Sequence, residues 1–143
     1  MTKILGISAF YHDSAATIIQ NGKIIAAAQE ERFTRKKHDS SYPFNAIEFV
    51  LNFSNSKLSE IDNIIFFEKP FLKFERLVET YVAFAPKGFE SFYKAIPLWI
   101  KEKLFQKKLL LDKLKLHDPK FNDPKKIFFS DHHLSHASSA FFP

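Results

Sequence analysis

KILGISAFYHDSAATIIQNGKIIAAAQ, residues 3–29, decides the fold. Residues 3–10 are an apolar run of strand length, and the polar break Tyr11-His12-Asp13-Ser14 ends it. A second apolar run covers 15–20, and a third covers 23–29. Between them lies Asn21-Gly22. Asn-Gly between two strand-like runs is the strongest short-range hairpin signal, because both central residues of a type I′ turn need positive φ. The spacing predicts three antiparallel strands.

Outward from this meander the chain changes character. Residues 30–42 (EERFTRKKHDSSY) are dense in charge and read as a loop. Pro43 stands where a helix accepts proline, just inside its start. Phe44, Ile47 and Leu51 follow at helical spacing, and the helix is expected to end in the Ser/Asn cluster at 52–56. Residues 62–68 (DNIIFFE) form a short apolar run of strand length. From Phe71 to about Leu116 the apolar period is helical. Pro86-Lys87-Gly88 should break it, and Pro97 should bend or restart it. Two or three helices arranged as a hairpin are expected. A turn-rich linker covers 117–126, a last strand 127–131, and a helix from His132 to Phe142 begins at that strand's end.

The resulting order is β-β-β-α-β, a helical insertion over 71–126, then β-α. An antiparallel meander extended by parallel strands is the pattern of a ribonuclease-H-like α/β sheet.

Composition sets the outer limits. The chain has 143 residues, 45% hydrophobic and 26% charged, enough for one domain with a real core. No cysteine is present, which excludes disulfides, thiolate zinc sites and a cysteine nucleophile. There is neither a signal-peptide pattern nor an apolar run long enough for a membrane span, so the expected location is the cytoplasm, away from membranes. Phe is abundant (18) and Gly scarce (3), which leaves little room for glycine-rich loops. The formal net charge is +5. Residues 71–126 hold 13 basic and 7 acidic side chains, so the whole positive excess lies in the insertion. Its centre, residues 101–108 (KEKLFQKK), reads as a basic amphipathic helix: either a solvated face or a surface for an acidic partner, a nucleic acid or a membrane. No nucleic-acid-binding signature accompanies it.

Three polar clusters carry possible chemistry. In Asp131-His132-His133-Leu134-Ser135-His136, the histidines at 132 and 136 stand i, i+4 and share a helix face, so both can reach one metal ion. They fall in the first turn, where the helix dipole favours neutral imidazole. Asp131 or a distant carboxylate could add a ligand, and His133 points to another face, toward substrate. The alternative is a capping histidine with its neighbours in solvent. The turn at 11–14 can present side chains and backbone N–H groups to a phosphate or substrate: it offers a hydroxyl (Ser14), a base (His12) and a carboxylate (Asp13). It should open at the same sheet edge as the histidines, if strands one and 127–131 are parallel. The alternative is an ordinary turn with Asp as local acceptor. The third cluster, 30–39, has cations that could hold a phosphate or carboxylate, or simply neutralise their neighbours.

Three stretches together resemble the N-terminus of the NodU/CmcH-type carbamoyltransferases. They are Leu5-Gly6-Ile7-Ser8-Ala9 with Tyr11 to Ala16, Gln29 to Arg35 with Lys37-His38-Asp39, and Asp131 to Ala137 with Ser139-Ala140-Phe141. The resemblance implies an actin-like ATPase lobe, related to enzymes that put threonylcarbamoyl on tRNA. It implies a divalent metal, Fe²⁺ or Zn²⁺, on His132 and His136, with a carboxylate ligand from farther downstream. It implies His12 and Asp13 near the transfer site, and Arg32 and Lys37 near phosphate or carbamoyl. ATP, carbamoyl phosphate and a small hydroxyl acceptor, as in nodulation-factor and antibiotic biosynthesis, would be the partners, with no nucleic acid. Family members are far longer, so the chain is expected to be an N-terminal fragment without its second lobe and adenylate-forming domain. Such a fragment should bind metal weakly and not turn over. The competing readings are a non-catalytic binding module built on the basic insertion, and a tRNA threonylcarbamoyl-transferase-like protein.

Overall fold

A computed structural model describes the backbone of residues 1–11, 13–99 and 105–141, with side chains except at 70–74, 77, 95, 98 and 99. The meander is present: β1 (Lys3–Ser8), β2 (Ala15–Gln20) and β3 (Lys23–Gln29) pair antiparallel in sequence order. Asn21 and Gly22 both take positive φ, 49° and 79°, as the hairpin turn requires. β4 (Asn63–Phe66) and β5 (Ile127–Phe129) then add in parallel, giving the order β3-β2-β1-β4-β5. The chain is therefore α/β with a mixed five-stranded sheet.

The period of two along each strand divides the sheet's faces. Leu5, Ile7, Ala16, Ile18, Ile64 and Phe66 are buried. They meet α2 (Phe44–Phe53) through Ala46, Ile47 and Val50, and α5 (Gln106–Leu114) through Leu110 and Leu114. Tyr42, buried at the start of α2, lies 3.1 Å from His117 Nε2; His117 Nδ1 meets Glu48, and its ring stacks on Phe44. Burial, then the carboxylates of Glu48 and Glu30, push the Tyr42 hydroxyl's pKa upward. This buried knot fastens the return from the helical insertion onto α2.

Several expectations need adjusting. Pro43 is the N-cap of α2 rather than its first helical residue. The charged segment 30–42 is not a plain exposed loop. It begins with a one-turn helix, α1 (Glu31–Thr34), and two of its carboxylates, Glu30 and Asp39, are buried because backbone and hydroxyl donors converge on them. The insertion forms α3 (Pro70–Phe84), a turn at Pro86–Gly88, and α4 (Phe89–Trp99), which runs through Pro97 instead of restarting there. Tyr81 stacks on Phe92 across this hairpin at 4.0 Å. Residues 100–104, at the centre of the basic segment, lie outside the described residues. Its remainder opens α5, where Lys107 and Lys108 face solvent while Gln106 is buried. Those cations therefore ride on the outer side of a core helix. The last helix, α6 (His132–Phe141), starts directly after β5 as expected. Phe142 and Pro143 lie outside the described residues. Among the described residues no helix is long and apolar enough to cross a membrane.

Candidate functional site

Parallel pairing decides where the polar clusters meet. β1, β4 and β5 run the same way, so their carboxyl ends share one edge. The ladder continues past the strands: Phe67 N–H donates to the Ile7 carbonyl, and Ser130 N–H to that of Phe66. Residues 8–11, 13–14, 67–69 and 130–136 therefore all leave the sheet at that edge, where open α/β sheets bind ligands.

The histidine helix is fixed there by its own first turn. Asp131 Oδ1 accepts the His133 N–H at 3.1 Å, and the Asp131 carbonyl accepts the Ser135 N–H. Ser135 Oγ lies 3.1 Å from the Phe67 carbonyl, tying α6 to the end of β4. On the face so oriented, His132 Nε2 and His136 Nε2 are 3.2 Å apart. Two nitrogens each bound at about 2.0–2.1 Å to one tetrahedral ion lie about 3.3–3.4 Å apart, so the pair fits a shared metal. Asp131 is engaged as the cap of α6. Among the described residues no group of three or more His, Cys, Asp or Glu side chains gathers to hold an ion. His133 is exposed, its ring edge-on to that of His132.

One residue at this edge was not anticipated. Glu68, at the end of the apolar run Ile64-Ile65-Phe66-Phe67, is 3% exposed, and its Oε2 lies 4.0 Å from His132 Nδ1. Only the placement of β4 beside β5 joins residues 64 positions apart. The sequence signal was an acid closing an otherwise apolar strand.

In the first turn, His12 lies outside the described residues. Asp13 has φ 48°, and its Oδ1 is 2.9 Å from His38 Nδ1. His38 itself takes φ 55°. Positive φ is uncommon for residues other than glycine, and two facing each other across a hydrogen bond hold the turn against the 30–41 segment. Ser14 is buried. Its hydroxyl donates to the Ser41 carbonyl at 2.5 Å, its N–H to that of Asp39, and its carbonyl accepts from Glu30 N–H. Those bonds make it a fastener of the turn.

Asp39 receives the Ser41 hydroxyl at 2.6 Å, the Ser41 N–H at 3.0 Å and the Thr34 hydroxyl at 2.9 Å. The Ser41 bonds chiefly, with help from Thr34, hold its carboxyl down at about 2. Glu30 accepts Asn45 N–H at 3.1 Å, the Asn45 amide at 2.7 Å and Ala46 N–H at 2.8 Å. It thus caps α2 from outside the helix. Lys37 is exposed beside this network. Arg32 stands elsewhere, at the rim of a cavity of about 1020 Å³ on the sheet face opposite α2. That cavity is floored by Gly6, Thr17, Ile65 and Phe67 and flanked by Ser135 and Ser138 of α6. The structure thus brings Asp13 together with His38, and His132 with His136. It keeps Arg32 on the open sheet face.

Comparison with known proteins agrees with these motifs. The chain is 54% identical over 144 residues to an uncharacterized protein of Synechocystis, which covers all of this chain and 23% of that protein. It is 34% identical over 132 residues to the nodulation protein NolNO of Sinorhizobium fredii, over 92% of this chain and 18% of that protein. An uncharacterized 19.2 kDa protein of Rhizobium etli is 37% identical over 60 residues, covering 42% of this chain and 35% of that protein. The chain thus spans less than a quarter of the length of the first two relatives. The family described as carbamoyltransferase N-terminus matches residues 3–143, and the chain belongs to it.

Proposed function

We propose that this chain forms the first lobe of an ATP- and carbamoyl-phosphate-dependent O-carbamoyltransferase, with an actin-like architecture. The observation that carries the proposal is the paired imidazole nitrogens of His132 and His136, 3.2 Å apart at the carboxyl edge of the sheet, in a chain of this family. The strand order and the edge shared with the 11–14 turn support the architecture.

In the proposed step a carbamoyl group passes from its adenylate to an acceptor hydroxyl. A C–O bond forms to the acceptor oxygen, the bond from the carbamoyl carbon to the AMP oxygen breaks, and AMP leaves. The hydroxyl proton goes to a base, for which His12 is the assigned residue. Asp13 holds the turn in place through His38. Lys37 supplies positive charge for phosphate oxygens, and exposed His133 stands on the substrate side of α6. Ser14 fixes the backbone between these groups. A divalent ion held by His132 and His136 would supply Lewis acidity. The chain is proposed as the lobe 1–143 with the helical insertion 71–126, working in the cytoplasm; the acceptor is a small molecule.

The test is titration of Fe²⁺ or Zn²⁺ into the wild-type chain and the His132→Ala/His136→Ala variant. The wild type should take up an ion that the variant does not. Equal uptake would overturn the site. The isolated chain should show no carbamoyl transfer with ATP and carbamoyl phosphate. Joined to the remaining sequence of the Synechocystis relative, it should release AMP in a carbamoyl-phosphate-dependent way. Failure of the joined, folded protein to do so would overturn the functional reading.

A further inference from the structure

We infer that Glu68 is a positioning residue for His132: its buried carboxylate draws the Nδ1–H of the ring toward itself and so turns Nε2 toward His136, where the two nitrogens can share a metal ion. The inference rests on the metal reading above and deepens it.

A carboxylate that is 3% exposed is costly to bury unless it meets a positive or hydrogen-bonding group. Glu68 Oε2 faces His132 Nδ1 at 4.0 Å, and the two side chains are 4% and 30% exposed. The approach is enforced from two sides. Ser130 N–H is bonded to the Phe66 carbonyl, and the Ser135 hydroxyl stands 3.1 Å from the carbonyl of Phe67 and 3.0 Å from that of Asp131, which keeps the start of α6 beside the end of β4. The Phe67 ring packs 5.6 Å from the His132 ring and limits its rotation. A ring held this way has one nitrogen toward the acid and the other toward His136.

At 4.0 Å the two groups are an ion-pair approach rather than a hydrogen bond, and a small turn of the His132 ring would bring Nδ1 onto the carboxylate. If His132 carries its proton on Nδ1, its Nε2 is an acceptor, and the 3.2 Å contact must be a donation from His136 Nε2–H. Taking up an ion then requires only that His136 move its proton to Nδ1. Metal-bound histidines ordinarily donate their second ring N–H to a carboxylate or carbonyl, which sets tautomer and ring orientation. Loss of such a partner typically lowers metal affinity about 10–100-fold.

The experiment uses ¹⁵N-histidine-labelled, metal-free protein, with the His132 signals assigned by their loss in His132→Ala. Long-range ¹H–¹⁵N spectra should show the Nδ1–H tautomer of His132 in the wild type and a shift toward Nε2–H in Glu68→Gln. Titration with Co²⁺ should give an affinity about 10–100-fold weaker in Glu68→Gln, with altered visible absorption from the displaced ring. Partial recovery is expected in Glu68→Asp, which keeps the charge on a shorter stem. An unchanged tautomer, or an unchanged Co²⁺ affinity, overturns the inference while leaving the metal site standing. Wild-type protein that takes up no Co²⁺ overturns the metal reading and this inference with it. Should Glu68→Gln fail to fold, the wild type still decides, because a His132 found as Nε2–H overturns the inference directly.

Discussion

Replacing Glu30 with alanine should cost about 2–4 kcal/mol of stability. Its carboxylate accepts three hydrogen bonds, from Asn45 N–H, the Asn45 amide and Ala46 N–H, and is itself 2% exposed. These are not equal losses. Asn45 is exposed, so water can replace both of its bonds. Ala46 is 0% exposed, and its N–H would be left buried without an acceptor. A stranded buried donor costs about 1–3 kcal/mol, and loss of a helix N-cap typically about 1 kcal/mol. Removing a buried charge returns part of this. Glu30→Gln should cost less, since its amide oxygen still accepts while its NH₂ opposes one backbone donor. Urea unfolding followed by circular dichroism measures both variants. The midpoint should fall with the slope unchanged, and the melting temperature of Glu30→Ala should drop by roughly 5–15 °C. A loss below about 0.5 kcal/mol in Glu30→Ala would refute the claim that this acid caps α2. It would return the 30–39 cluster to the status of a solvated loop.

Three further outcomes are expected. Gly6→Ala would place a Cβ 2.8 Å from Thr17 Cγ2 on the adjacent strand, so thermal unfolding should show a destabilisation of about 1–3 kcal/mol. Leu114→Ala empties a 0% exposed site that holds α5 to the sheet, and denaturant unfolding should report a loss of about 2–5 kcal/mol. Asp39 has a folded pKa lowered from 3.8 to about 2, so its contribution is fully present above the unfolded value and is lost as pH falls through about 2. Stability measured between pH 5 and 2 should therefore decline more steeply in the wild type than in Asp39→Asn, and parallel curves would exclude this origin.

The sequence alone determined the elements whose signals are local. The Asn21-Gly22 turn, the apolar runs on either side of it, and the 3.6-residue period of α2 depend on backbone geometry within a few residues. They were legible without any partner. The i, i+4 spacing of His132 and His136 is equally local, since a helix places such residues on one face whatever it packs against. The three motifs also pointed to the family, which the match over residues 3–143 confirms.

Tertiary structure decided what the charged residues do. Glu30, Asp39 and Glu68 looked alike as acids in polar or terminal positions. Their surroundings come from groups that the fold delivers: Asn45 and Ala46, 15 and 16 residues on, donate to Glu30, and His132, 64 residues on, stands 4.0 Å from Glu68. Asp39 is only two residues from Ser41, yet its burial depends on the segment closing over the 11–14 turn, where Ser14 N–H donates to its carbonyl. No local period records such pairings, because strand order and the approach of helices to sheet edges set them. The same holds for Ser14, a candidate phosphate contact by type, whose hydroxyl the fold commits to a backbone carbonyl. Sequence therefore fixed which groups could act, and only the packing of β1, β4 and β5 side by side established which of them meet.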